Sequence, residues 1–242
     1  MLNACLPGTL QIPTPTPFTP TPTDTPTPTI VWFPPTTTFT PFPTSTALPP
    51  TPDQRPSIGP LLFRDDFSDA SLWSLSSTEA GRAALGKNEL TLAIQEQKAY
   101  LFSVRQLPEL TNFYAEITAS PSLCRGADEY GLLLRFLSPA TFYRFSLSCD
   151  GRVRLDRLSG GQASSPQPWL ETGVVPIGAP SVSRLGVWAS GSEMRFFVGD
   201  QYLFTVQDPL IPSGLLGVFA RSTGGHALTV NFSDLAVYQL NP

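Results

Sequence analysis

From residue 58 onward, apolar and polar side chains alternate with a period of two. Leu90, Leu92 and Ile94 share one phase, with Thr91 and Ala93 between them. Phe113, Ala115 and Ile117 alternate with Tyr114, Glu116 and Thr118, and Tyr143, Phe145, Leu147 and Cys149 alternate with Arg144, Ser146 and Ser148. Tyr130, Leu132, Leu134 and Phe136 form another such set, with Leu133 and Arg135 in the opposite phase. Leu185-Val187, Met194-Phe196-Val198, Tyr202-Phe204-Val206 and Leu228-Val230-Phe232 continue the pattern. A strand sends successive side chains to opposite faces, so each set predicts a strand with one buried face. No segment sustains a helical stripe over about ten residues. Turn-forming residues fall between the sets: Gly86-Lys87-Asn88, Ser138-Pro139-Ala140, Asp150-Gly151, Ser190-Gly191-Ser192 and Gly199-Asp200. Asp-Gly between alternating strands is a strong two-residue hairpin signal. Roughly a dozen short strands joined by tight turns predict an all-β, two-sheet antiparallel sandwich over residues 58–242.

The pattern stops at the N-terminal side of this domain. Residues 13–52 hold 14 Pro and 15 Thr, in runs such as Pro13-Thr14-Pro15-Thr16-Pro17. Each proline fixes its own φ and pushes the preceding residue to extended geometry, so helix is excluded, and the missing N–H groups spoil a sheet ladder. The expectation for 13–57 is a semi-rigid polyproline II stalk, on the order of 120 Å long for its Pro/Thr-rich part. Ile30-Val31-Trp32-Phe33 interrupts it with an apolar patch suited to docking on the domain or a partner.

Charge changes the picture at the same boundary. Residues 1–52 contain one charged side chain, Asp24, in a chain that is 14% charged with a net charge of -4. One compact fold spanning the whole chain is therefore excluded, and the mild acidity excludes a strongly basic nucleic-acid footprint. No stretch approaches the roughly 18 apolar residues of a membrane span. One histidine and three cysteines supply no dedicated zinc site. Within residues 1–12, Leu2-Asn3-Ala4-Cys5 resembles the bacterial lipobox, in which the cysteine becomes lipidated. The charged and apolar regions of a signal peptide are missing before it, which places the true start upstream. Beside a stalk, a lipid on Cys5 fits a cell-surface, extracellular lipoprotein that meets the membrane only through its anchor.

Ordered blocks along the domain carry a family resemblance. Arg64-Asp65-Asp66-Phe67-Ser68-Asp69, Glu129–Phe136, Tyr143–Leu147 followed by Cys149-Asp150-Gly151, Arg184–Gly191, Phe196–Asp200 and Val230–Leu235 together resemble the concanavalin A-like (laminin G-like) jelly-roll family. The family often has Asn-Gly where this chain has Gly199-Asp200. The resemblance implies a jelly roll used for sugar binding or adhesion as commonly as for catalysis, and fold alone does not choose.

The candidate chemistry follows from these placements. Cys124 precedes the strand at 130–136 and Cys149 ends its hairpin partner at 142–149: position 149 falls opposite about 129 or 130, so the loop 125–128 must fold back for the sulfurs to meet, the alternative being two buried free thiols. Outside the cell such a pair forms a disulfide. Asp66, near the domain entrance, and Asp234, in the closing strand, come together if the first and last strands pair. A structural Ca2+ at that seam is one reading, since relatives of the fold sometimes hold one; turn capping by Asp66 and Asp69 is the other. Laminarinase-like enzymes of this fold carry Glu-x-Asp-x-x-Glu on one strand, whereas Phe113–Ala119 offers Glu116 alone. His226 has no nucleophile motif beside it. On the phase opposite the core stand Tyr114, Glu116, Arg135, Arg144 and Trp188, the expected ligand-binding set, in which aromatic faces stack sugar rings and polar heads hold hydroxyls. The sequence thus predicts a monomeric, non-catalytic module that binds polysaccharide or another glycan. A glycoside or keto-disaccharide hydrolase and a purely structural or protein-adhesive module are the alternatives.

Overall fold

The computed structural model describes residues 53–241. Cys5, the Thr-Pro tract up to Pro52 and the Trp32-Phe33 patch lie outside the described residues. Fifteen strands follow one another: β1 (Ile58–Asp65), β2 (Ser76–Thr78), β3 (Gly81–Gly86), β4 (Glu89–Ile94), β5 (Tyr100–Val104), β6 (Phe113–Leu123), β7 (Glu129–Ser138), β8 (Thr141–Ser148), β9 (Arg152–Ser159), β10 (Gln162–Glu171), β11 (Ser183–Ser190), β12 (Glu193–Val198), β13 (Gln201–Gln207), β14 (Leu215–Arg221) and β15 (Leu228–Leu240). A single 3-10 turn, Ala70–Leu72, is the helical content among the described residues. The expected all-β sandwich is therefore observed.

Two antiparallel sheets make the layers. One runs β13-β12-β11-β6-β15-β4-β3-β2, with β1 beside the second half of β15; the other runs β10-β9-β8-β7-β14-β5. The inward phases form one continuous core: Leu90, Leu92, Ile117, Val187, Phe196 and Phe232 from the nine-stranded sheet meet Leu132, Phe145, Leu147, Leu155 and Val218 from the six-stranded one. Phe145 lies against Phe196, ring centroids 4.8 Å apart. Burying a side chain of this size contributes about 1.5–3 kcal/mol, and the sandwich rests on these residues.

Local chemistry sets the turns. Gly199 (φ 56°) and Asp200 (φ 65°) are both left-handed, the geometry a two-residue turn needs to match strand twist. Cys124 and Cys149 form the expected disulfide, with Cα atoms 5.7 Å apart. The intervening loop folds back as required: the Asp128 amide donates to the Arg125 carbonyl at 3.1 Å, and the Cys149 amide to the Asp128 carbonyl at 2.9 Å. Cys124 follows β6 and Cys149 follows β8, so the bridge ties one sheet to the other.

Strand β7 departs from simple alternation. Tyr130, Leu132 and Leu134 face the core, but pairing with β8 shifts register between Leu134 and Ser138. Arg135 takes φ 48° at this point. One irregular residue re-aims everything after it. Phe136 accordingly packs on the outside, against Phe142 at 5.6 Å, instead of in the core.

Candidate functional site

The outer face of the six-stranded sheet carries an ordered set of charged and aromatic groups. Registry places Arg221 opposite Glu129, Arg154 opposite Ser146, and Asp156 opposite Arg144. Their side chains join in an alternating chain, Arg144–Asp156–Arg154–Glu129–Arg221, with N···O separations of 2.6, 3.0, 3.1 and 3.4 Å in that order. Asp156 accepts a further hydrogen bond from Ser165 of β10, at 2.6 Å. Aromatic rings close both ends. Trp169 of β10 lies under Arg154 (4.3 Å from guanidinium carbon to ring centroid) and Arg152 (5.0 Å). At the other edge Arg144 stands 5.8 Å over Tyr100 and 5.5 Å over Phe219. Beside this chain, Val104, Leu133, Phe142 and Phe219 form an apolar patch on the same sheet face.

The electrostatics follow from burial. Burial pulls the Arg144 guanidinium down, and the hydrogen bond and charge of Asp156, together with Tyr100 and Glu129, outweigh it, leaving the group above its ordinary value. Burial pushes the Tyr100 hydroxyl up to about 12, so it remains an O–H donor at neutral pH. Three polar atoms of this face, Arg144 Nε, Arg154 Nε and Ser146 Oγ, are buried with no hydrogen-bond partner among the described residues. Such groups each cost about 1–3 kcal/mol and call for an explanation. Glu129 and Asp156 meet at a shared nitrogen of Arg154, a convergence of carboxylates that the sequence did not reveal. A glycosidase pair needs one carboxyl to deliver a proton and the other to attack or activate water. Here Glu129 binds Arg154 through Oε2 and Arg221 through Oε1, while Asp156 binds two arginines through Oδ2 and Ser165 through Oδ1. Every carboxylate oxygen is engaged, which suits a scaffold for arginines better than an acid–base pair.

The expected ligand-binding residues fall in three separate places. Arg144 belongs to the face just described. Tyr114, Glu116 and Trp188 lie on the outer face of the nine-stranded sheet, where residues 53–57, assigned to the stalk by composition, contact Tyr114 and Trp188. Trp188 is only 7% exposed; its indole N–H donates to the Pro56 carbonyl at 2.9 Å, and Arg195, 4.7 Å from its ring centroid, donates to the Gln54 carbonyl at 3.1 Å. Arg55 lies 5.7 Å from the Tyr114 ring and 5.3 Å from Phe197, and pairs with Asp200 at 2.7 Å. Glu116 pairs with Arg184 at 2.7 Å. Arg135 faces inward, contrary to expectation: it is 0% exposed, and its guanidinium donates to the carbonyls of Ile211, Thr111 and Gly191. The left-handed turn of β7 reverses its direction, and it ties three loops together from within.

The Asp66–Asp234 seam also has a definite geometry. Asp65 pairs with Leu235, which sets Asp66 and Asp234 at the next register position. Asp66 accepts from the amide and hydroxyl of Ser68, at 3.1 and 2.6 Å, and this holds its carboxyl below the usual range. Asp69 does the same with Ser71. Asp66 and Asp69 thus cap their turns through Ser68 and Ser71, and among the described residues no three His, Cys, Asp or Glu side chains cluster. His226 lies exposed in the loop before β15. A polar cleft of about 450 Å³ between β10 and β13 is lined by Ser164, Ser165, Pro166, Thr205 and Gln207 over the Arg157–Asp208 ion pair, with no aromatic platform.

No family model matches the chain. A TPR repeat-containing protein of Treponema pallidum (strain Nichols) is 31% identical over 98 residues, which is 40% of this chain, and the match spans only 12% of that relative. Among solved structures, a Bacillus subtilis protein of unknown function with a galectin-like fold superposes with a TM-score of 0.57 at 12% identity, covering 76% of this chain and 99% of that one. The catalytic domain of a Thermotoga petrophila endo-1,3-beta-glucanase (laminarinase) gives 0.54 at 12% identity, covering 76% and 98%. The carbohydrate-binding module CBM66 of Bacillus subtilis gives 0.50 at 16% identity, covering 69% and 96%. The likeness establishes the fold: a galectin-like, concanavalin-like jelly roll, an architecture on which both carbohydrate-binding modules and glycoside hydrolases are built.

Proposed function

We propose that this protein is a non-catalytic carbohydrate-binding module that holds a glycan on the outer face of its six-stranded sheet. One observation carries the reading: partly exposed aromatic rings, Tyr100 and Trp169, bracket a chain of arginines held in place by carboxylates. Rings stack on the apolar faces of pyranosides, and fixed guanidinium groups donate to hydroxyls in a defined direction. The bridging carboxylates offset the repulsion between the arginines and fix their side chains, which lowers the ordering cost on binding. The jelly-roll neighbours that bind or cleave carbohydrate support the class of ligand. Of the residues singled out in the sequence, Arg144 takes part, whereas Tyr114 and Trp188 are assigned to holding residues 53–57 and Glu116 to pairing with Arg184. In this reading the Thr-Pro tract is a stalk that presents the module outside the cell, anchored through Cys5.

A glycan array probed with the full chain tests the proposal. Binding is expected, with loss on Trp169→Ala and retention in Trp188→Ala molecules that remain folded. Binding that survives Trp169→Ala and disappears with Trp188→Ala would move the site to the other sheet. Release of reducing sugar from a bound glycan, abolished by Glu129→Gln, would favour the hydrolase.

A further inference from the structure

Resting on the saccharide reading above, we infer that the ligand carries a carboxylate, and that Arg221 and Tyr100 are the residues that receive it. The alternating chain on the six-stranded sheet starts and finishes on arginine: Arg144, Arg154 and Arg221 share two carboxylates, Asp156 and Glu129. One guanidinium charge is left unmatched within it. The neighbouring Arg152 is held by Asp150 (2.9 and 2.5 Å), and Glu171 stands opposite it in register, so the face as a whole balances four arginines against four carboxylates and the surplus is local to the chain. The surplus therefore sits among the three arginines, in a protein whose overall charge is -4.

The surplus is accessible at one end. Arg144 and Arg154 are largely covered, with their Nε atoms buried and unpaired. Arg221 makes the longest contact of the chain, 3.4 Å, and its side chain is 43% exposed. Its register partner on β5 is Tyr100, itself 38% exposed, and Phe102 is the next residue of that strand on the same face. A guanidinium beside an aromatic ring matches the two faces of a uronic acid: the ring stacks, and the planar carboxylate accepts two parallel N–H bonds. A neutral sugar would offer the Arg221 guanidinium no anionic partner, whereas an acid would pair with it.

Titration calorimetry of the full chain with polygalacturonate, with its carboxyl-reduced form (a neutral polymer of the same linkage) and with a sulfated galactan tests the inference. The expected result is tightest binding to polygalacturonate, weakened roughly tenfold or more by carboxyl reduction and by Arg221→Ala, and only partly by Arg221→Lys, which keeps the charge but loses the planar fork. Affinity for the acid should also fall with added salt. Arg221 is exposed and Glu129 retains Arg154 without it, so the variant is expected to keep its melting temperature. Equal binding of the carboxyl-reduced polymer, unaltered in Arg221→Ala, overturns the acidic class and leaves the saccharide reading standing. A preference for the sulfated galactan overturns the carboxylate in favour of a sulfate. Binding of none of the three also overturns the inference, and the glycan array then decides separately whether any saccharide is held.

Discussion

Trp188 and Trp169 occupy opposite outer faces of one sandwich, each with an arginine against its ring: Arg195 at 4.7 Å in one case, Arg154 at 4.3 Å in the other. Their third partners differ. Trp188 gives its indole N–H to the Pro56 carbonyl and is buried under residues 53–57, so the nine-stranded face is occupied by the chain itself. Trp169 remains partly exposed beside a guanidinium chain that is satisfied on its carboxylate side and under-satisfied on its arginine side. The same pair of residue types is a strap anchor on one face and a candidate platform on the other. What decides between them is which neighbouring segment, far away in sequence, lies over the ring.

Several substitutions sharpen this contrast. The largest effect on stability is expected from Asp156→Ala. Asp156 is 5% exposed and pairs with both Arg144 and Arg154, so its removal leaves two covered guanidinium groups short of a partner. Urea unfolding should show a loss of about 4 kcal/mol, and a loss below about 1 kcal/mol would mean that the network is freely solvated. Next, Trp188→Ala should cost about 3 kcal/mol by emptying a packed site, with glycan binding unchanged per folded molecule. Trp169→Ala should show the reverse, a cost under about 1 kcal/mol and loss of binding. Arg55→Ala should cost about 1 kcal/mol, the worth of an exposed ion pair and two ring contacts, and should speed proteolysis near residue 55.

The smallest effect is a pH dependence. An unfolded phenol loses its proton near 10, whereas burial holds the Tyr100 proton to about 12. The folded state thus binds the proton more tightly, and the associated stability is complete below pH 10 and is lost between pH 10 and 12. Tyr114, Tyr130 and Tyr143 are raised in the same direction by burial. Tyr100→Phe should therefore flatten part of the alkaline decline in melting temperature, leaving the portion due to those three. An unchanged decline would show that the Tyr100 hydroxyl is solvated in the folded protein.

Much of the fold was legible because its determinants are local. The inward phases of β4, β6, β8, β12 and β15 could be read directly, since alternation depends only on neighbours in sequence. Asp150-Gly151 and Gly199-Asp200 marked turns for the same reason. The disulfide was within reach because the β7–β8 hairpin fixes both cysteines at nearly the same level. Arg135 was misread: alternation cannot register a single left-handed residue, and that residue moved Arg135 inside and Phe136 outside. The site was less legible still. Arg144 was already among the expected residues, but Asp156, Arg154, Glu129 and Arg221 come together only through pairing across β14-β7-β8-β9, and Trp169 stands on an edge strand whose two prolines and register shifts hide its phase. Nor does any pattern within 113–197 announce that residues 53–57 will lie over Trp188.

Hydrogen–deuterium exchange of the full chain, with and without the glycan that binds best on the array, tests the assignment of the site most directly. Ligand-dependent protection is expected in β5, β9 and β10, around Tyr100, Arg154 and Trp169, with β6, β11 and β12 unchanged. Protection confined to residues 113–119 and 183–198, together with faster exchange at 53–57, would contradict it and show that the glycan displaces the strap from Trp188.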